Sequence, residues 1–165
     1  MFKILKNPVN PTIFIVDPNQ SYRIIIKNLL EALNHFNLYT FSNIEEFIES
    51  TIVPDIIILD QNLGIGKQSG LDFLRRYKFR YPKTQFFFLS SDADPEIAVD
   101  SIRWGAKEYI MKSKTGLNRL AVKLEGQLSS EIKDYRNGLY LKAALISLCM
   151  FSIIFVLGII LYNLK

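Results

Sequence analysis

Residues 55–60 read DIIILD, four consecutive apolar residues, three of them β-branched, held between two aspartates. Without polar alternation such a run has no solvent face. It fits a strand covered on both sides, as in a parallel sheet sandwiched between helices. Four more runs have strand character: TIFIV at 12–16, LYTF at 38–41, TQFFFLS at 84–90 and AKEYIMK at 106–112. Between them the spacing turns helical. SYRIIIKNLLEALNHF carries Ile25, Leu29, Leu33 and Phe36 on one expected stripe, and NIEEFIES is a short helix capped by Asn43 or Ser42. SGLDFLRRYKFRY places Leu71, Leu74 and Lys78 on a partly apolar face and stops before Pro82. DPEIAVDSIRWG enters at Asp94, Pro95 and Glu96 and ends at Gly105, suited to a left-handed cap. GLNRLAVKLEGQLSSEIKDYRN repeats Leu117, Leu120, Leu124, Leu128 and Ile132 at helical intervals. Five strand-helix units in succession predict a doubly wound α/β sheet, with Phe86, Phe87, Phe88 and Trp104 in its core.

The C-terminal region obeys a different rule. AALISLCMFSIIFVLGIILY, residues 143–162, is twenty residues without a charge, about 30 Å long as a helix and matched to the hydrocarbon thickness of a bilayer. A buried core helix is the other reading, but apolar residues on every face over this length favour a membrane span. Tyr140 and Tyr162 fall at the expected interfaces. Lys133, Arg136 and Lys142 precede the span and only Lys165 follows it, so the N-terminal part is expected in the cytoplasm of a single-pass inner- or plasma-membrane protein. The division read from the sequence is an N-terminal extension (1–11), an α/β domain (12–128), a juxtamembrane helix or linker (129–142), the span (143–162) and a short tail (163–165).

The net charge of +4 carries little information. Only Lys142 and Lys165 of the 20 basic residues, and none of the 16 acidic ones, lie beyond Leu139, so the remainder holds 18 basic and 16 acidic residues. No nucleic-acid footprint is present. The first thirty residues show no signal peptide, because Lys3 and Lys6 lead into Asn7, Pro8, Asn10 and Pro11. Cys149, the one cysteine, reads as a small hydrophobe within the apolar stretch.

Ligands of doubly wound sheets bind outside the carboxyl ends of the strands. Four polar residues fall there: Asp17, Asp60, Ser90 and Lys112. A carboxylate nucleophile, a hydroxyl donor and an ammonium suit the holding of a phosphoryl group. Asp60 is the acceptor in that reading, and Asp17 helps to hold Mg²⁺. The rival reading of Asp17 makes it the N-cap of the first helix, with Pro18 at the first helical position.

Over roughly Thr12 to Leu128 the chain resembles the response-regulator receiver domain of two-component signalling. The resemblance is carried by IFIVD, PDIIILDQNL, FFFLSSD and GAKEYIMKS, in that order and with family-like spacing. It implies a flavodoxin-like fold with strand order 2-1-3-4-5 and a signalling module rather than an enzyme. It implies Asp60 as phosphoacceptor, Ser90 as switch hydroxyl, Lys112 as phosphate-sensing ammonium and Tyr109 as the aromatic that reports activation. Asn62 and Asp92 fall at the tuning positions for dephosphorylation, and Asn62 lends its backbone carbonyl to the metal beside Asp17 and Asp60. The implied partners are a histidine kinase or phosphotransfer protein and a downstream protein, with no nucleic acid.

Three departures stand out. Pro18 occupies the place of a second acid and weakens any Mg²⁺ site. Ser113 follows Lys112 where the family has proline, so the Lys112–Ser113 bond is expected to be trans with the ammonium displaced. The loop from Asn62 to Gly70 is about two residues longer than usual. The alternative function is therefore a phosphorylation-independent pseudo-receiver acting as an interaction module. Residues 64–69, GIGKQS, mimic a phosphate loop only superficially. His35 is read as structural, and Ala143 with Ser147 as a weak dimerisation cue within the span.

Overall fold

The computed structural model describes residues 10–33, 36–63, 69–92 and 94–163. His35, residues 64–68 of the loop between Asn62 and Gly70, most of the N-terminal extension and the last two residues of the tail lie outside these. The strands are β1 (Thr12–Val16), β2 (Asn37–Phe41), β3 (Ile56–Asp60), β4 (Gln85–Ser90) and β5 (Glu108–Met111). The helices are α1 (Gln20–Glu31), α2 (Ile44–Glu49), α3 (Gly70–Arg80), α4 (Pro95–Arg103) and α5 (Lys114–Asn163). All strands pair in parallel in the order β2-β1-β3-β4-β5. The chain divides into two compact units, residues 1–127 and 128–165.

Period-two geometry explains why the strands read as unbroken apolar runs. Phe14, Val16, Ile57, Leu59, Phe86 and Phe88 point to one face of the sheet, where Phe47 of α2 and Phe73 and Leu74 of α3 cover them. Ile13, Ile15, Ile56, Ile58, Phe87 and Leu89 point to the other, against Ile26 and Leu30 of α1 and Leu120 and Leu124 of α5. Each face needs its own apolar set, so alternation disappears from the sequence.

The caps fix where the helices begin. Asn19 caps α1, its side chain accepting from the backbone N–H groups of Ser21 and Tyr22. The first helix thus starts two residues later than an Asp17 cap would give, and Pro18 lies outside it. Asn43 caps α2 and Asp94 caps α4, with Pro95 at the first helical position. Gly105 adopts φ 96°, a conformation that a side chain would strain.

Two expectations are corrected. The buried stripe of α1 runs through Ile26 and Leu30, while Ile25 is 46% exposed. Residues 24–26 are all isoleucine, and packing against Ile13 and Ile15 selects which of them faces inward. Trp104 is not core: it caps the C-terminal end of α4, is 46% exposed, and lies under the Arg75 guanidinium at 4.7 Å.

Glycine is required where α5 leaves β5. A Cβ on Gly116 would run into the carbonyl oxygen of Met111 and lie 3.0 Å from Ile110 Cγ2. Gly116→Ala is expected to destabilise the domain by about 1–3 kcal/mol despite alanine's better helix propensity, read as a lowered urea midpoint.

In the second unit, Leu139, Leu141, Leu145, Ile146, Leu148, Met150, Phe151, Ile153, Ile154, Val156 and Leu157 are exposed. The helix is long and apolar enough to cross a membrane, and its most apolar window is not buried.

Candidate functional site

Every strand but β2 delivers one polar residue to the carboxyl edge of the sheet. Asp17 follows β1, Asp60 and Ser90 close β3 and β4, and Lys112 follows β5. The backbone N–H of Lys112 donates to Ser90 O at 2.7 Å and that of Gln61 to Leu89 O at 3.0 Å, so the strand ends extend as a ladder into the site. Gly70 closes the far side. A Cβ there would lie 2.7 Å from Asp60 O and 2.9 Å from Phe88 Cε1.

The acids and the ammonium converge. Lys112 Nζ lies 2.7 Å from Asp17 Oδ2 and 2.7 Å from Asp60 Oδ2, with all three side chains almost wholly buried. The displacement of the ammonium expected from Ser113 is therefore not seen: the Lys112–Ser113 bond is trans and Nζ reaches both carboxylates. The fixed point is the β4-β5 ladder, which holds the Lys112 backbone whichever residue follows. Only the Asp60 contact is aligned as a hydrogen bond; Asp17 Oδ2 is buried without an aligned donor. Asp17 Oδ1 accepts from the Asn19 N–H at 2.8 Å, and Asp60 Oδ1 from the Asn62 N–H at 3.2 Å.

A second cluster joins the remaining expected residues. Ser90 Oγ accepts the Asp92 N–H at 3.1 Å, and the Tyr109 hydroxyl donates to Asp92 O at 3.1 Å while its ring stacks on Phe88. The Asp92 backbone thus links the hydroxyl of β4 to the aromatic of β5. Sequence reasoning missed Tyr22 and Arg23. The Tyr22 ring faces Lys112 Nζ, and Arg23 Nη1 donates to Asp17 O at 2.6 Å and Pro18 O at 3.1 Å. Nothing in residue type or spacing marks these two, because their roles depend on where α1 starts.

Burial lifts the Asp60 carboxyl above the ordinary aspartate range; the Lys112 hydrogen bond opposes this and the Asp17 charge adds to it. For Lys112, burial works against the ammonium, but the close carboxylates of Asp17 and Asp60 outweigh it and raise its pKa. A carboxyl whose folded pKa is raised favours the fold below its unfolded pKa, and that contribution is lost as pH rises through the folded value. Ionised Asp60 therefore strains the domain at neutral pH. Asp60→Asn is expected to melt higher than wild type near pH 7, with the gap closing as pH falls toward the ordinary aspartate range in a thermal scan.

Among the described residues no group of three or more His, Cys, Asp or Glu side chains gathers as a metal site. The donors present still suit Mg²⁺, which is commonly held by one or two carboxylates with water and phosphate. Asp17 Oδ2, paired with the Lys112 ammonium but without an aligned hydrogen-bond donor, is a hard-oxygen ligand beside Asp60 that a cation could take in exchange for the ammonium.

A doubly wound sheet with acids, a hydroxyl and a lysine at its carboxyl edge defines an anion- and phosphoryl-handling α/β protein. The response regulator receiver domain family profile matches residues 13–125, and the chain belongs to that family. Among similar solved structures is a CheY-like response regulator receiver domain protein from Methanospirillum hungatei JF-1, at 21% identity and TM-score 0.65, covering 76% of this chain and 98% of that one. A response regulator from Thermotoga maritima matches at 28% identity and TM-score 0.61, covering 73% and 98%. The beryllofluoride-activated NtrC4 receiver domain dimer matches at 19% identity and TM-score 0.64, also covering 73% and 98%. A comparison with curated proteins finds no match. Receiver domains are signalling modules that take up a phosphoryl group, interact with histidine kinases or phosphotransfer proteins, and typically bind Mg²⁺ in the acidic pocket.

Proposed function

We propose that this chain is a membrane-anchored receiver in which Asp60 accepts a phosphoryl group from a histidine kinase or phosphotransfer protein. The observation that carries the reading is the ammonium of Lys112, 2.7 Å from the carboxylates of both Asp17 and Asp60. An Asp60 carboxylate oxygen attacks phosphorus, the phosphorus–nitrogen bond of the donor phosphohistidine breaks, and the imidazole nitrogen keeps the electron pair. Lys112 offsets charge on the transferred group, and the Ser90 hydroxyl donates to one of its oxygens once it turns from the Asp92 N–H. Asp17, Asp60 and the Asn62 backbone carbonyl would hold Mg²⁺, which offsets the phosphoryl charge when bound. Pro18 leaves that site one acid short. The link from Ser90 through Asp92 to Tyr109 offers a route for the phosphorylated state to alter the β4-β5 side. Asn62 and Asp92 flank the acceptor on two loops and tune hydrolysis of the acyl phosphate.

The test incubates the full chain in mild detergent with Mg²⁺ and a small acyl-phosphate donor. A hydroxylamine-sensitive adduct on Asp60, absent from Asp60→Asn, is the expected result. No adduct on the wild-type chain overturns the reading and leaves the phosphorylation-independent interaction module, which the Pro18 substitution favours.

Anchoring rests on the large apolar side chains that are exposed among the described residues of 139–157. With the N-terminal domain cytoplasmic, output passes through protein contacts near the bilayer, and pairing of two copies, as in the NtrC4 receiver dimer, would bring two spans together. Ile153→Arg places a charge near the middle of the span at a penalty of about 2.5–3.5 kcal/mol. Membrane fractionation is expected to show it moving from the pellet to the soluble or degraded fraction.

A further inference from the structure

Lys112 can serve the site only if its long, flexible side chain is held over the acids, and its own strand fixes only the backbone. A lysine side chain gives up considerable rotamer freedom when ordered, so something must offset that loss. The two acids attract the ammonium but do not set the path of its methylenes.

The first turn of α1 supplies a guide. Asn19 caps the helix and its Oδ1 accepts the Tyr22 N–H at 3.4 Å, which fixes Tyr22 in that turn. Helical side chains lean toward the N-terminus, here toward the carboxyl edge of the sheet. The half-buried Tyr22 ring accordingly lies with its centroid 4.8 Å from Lys112 Nζ, and its hydroxyl donates to Lys112 O at 3.4 Å. One side chain thus touches both ends of the same lysine.

We propose that Tyr22 is a positioning residue that clamps Lys112 over Asp17 and Asp60, its ring holding the ammonium and its hydroxyl the backbone carbonyl. The inference rests on the phosphoacceptor reading for its functional meaning, but the clamp itself is physical and is read without phosphorylation. The ring face attracts the cation, and the preference grows as the site is desolvated. Tyr22 contacts Lys112 at both its ammonium and its carbonyl, so its effect on the site passes through Lys112. A clamped ammonium competes with Mg²⁺ for the carboxylate oxygens, so loosening the clamp should free them for metal while depriving an incoming phosphoryl group of its cation.

The experiment uses the full chain in detergent micelles. In wild type, NMR should show the Lys112 ε-methylene protons shifted upfield by the ring current of Tyr22. Tyr22→Phe keeps the ring and should keep the shift. Tyr22→Leu should return it to the ordinary lysine position and tighten Mg²⁺ binding, measured calorimetrically, about two- to fivefold. Acceptance from the small acyl-phosphate donor should slow in Tyr22→Leu and be largely retained in Tyr22→Phe. An unshifted Lys112 methylene in wild type overturns the clamp, a result independent of whether any variant folds. Unchanged Lys112 shifts and Mg²⁺ affinity in a folded Tyr22→Leu overturn it too. If wild type accepts no phosphate while the ring-current and Mg²⁺ results hold, the phosphoacceptor reading fails and the clamp stands.

Discussion

Replacing Lys112 with Met lowers the unfolding free energy of the domain by about 3–5 kcal/mol near neutral pH, because it leaves two buried carboxylates facing each other with no cation between them. The alkyl chain of Met fills most of the lysine's volume, so the loss is one of charge rather than packing. Asp60, already lifted by burial, then also loses the lysine hydrogen bond that opposed the shift. Carboxyls shifted in that direction favour the fold in acid, and the contribution is lost as pH climbs through the shifted values. The deficit against wild type should therefore be widest near pH 7 and narrow toward about pH 4. Urea unfolding of the full chain in detergent measures it, and Trp104, the single tryptophan, reports on the domain because it sits under Arg75. Adding Asp60→Asn to Lys112→Met should recover part of the loss by removing one of the facing charges. A deficit of the same size at every pH would mean that the ammonium does not balance the acids. At the alkaline end the wild-type site behaves the other way. The Lys112 ammonium, with its pKa raised, supports the fold through neutral pH, and that support is lost as pH rises through the raised value.

Pro18→Asp should raise Mg²⁺ affinity by roughly thirtyfold. Even at the dielectric of water, one more carboxylate about 4 Å from a divalent ion contributes about 2 kcal/mol. Pro18 lies outside α1 and is exposed, so the exchange breaks no helix and removes no buried group. Calorimetric titration of the full chain with Mg²⁺ provides the measurement. An affinity unchanged within twofold or so would show that residue 18 does not face the metal, or that Lys112 keeps the acids closed against it. The same variant should accept phosphate faster from the small donor if metal supply limits the native site.

The acids, hydroxyl and lysine were legible in the sequence for a simple reason. Each sits one step past, or at the last residue of, a strand whose apolar run is visible by itself, and parallel strands bring their carboxyl ends to one edge. Trp104 and Ile25 were not legible. A large aromatic beside a glycine reads as core, yet the end of α4 leaves it half in solvent against Arg75. Three consecutive isoleucines give no phase, so which one is buried depends on the start of the helix. That start is set by Asn19, because Asp17 spends its side chain on the Asn19 N–H and on Lys112.

By itself the sequence determined the five-unit α/β architecture, the family, the positions of Asp17, Asp60, Ser90 and Lys112, and an apolar stretch long enough to span a bilayer, since all of these follow from local periodicity and order along the chain. Only the tertiary structure decided that Lys112 bridges both acids despite Ser113, that Asp92 joins Ser90 to Tyr109, and that Tyr22 and Arg23 belong to the site. Those contacts join residues as far as 90 positions apart in the chain, and their geometry is fixed by strand register and helix phase, which no local pattern encodes.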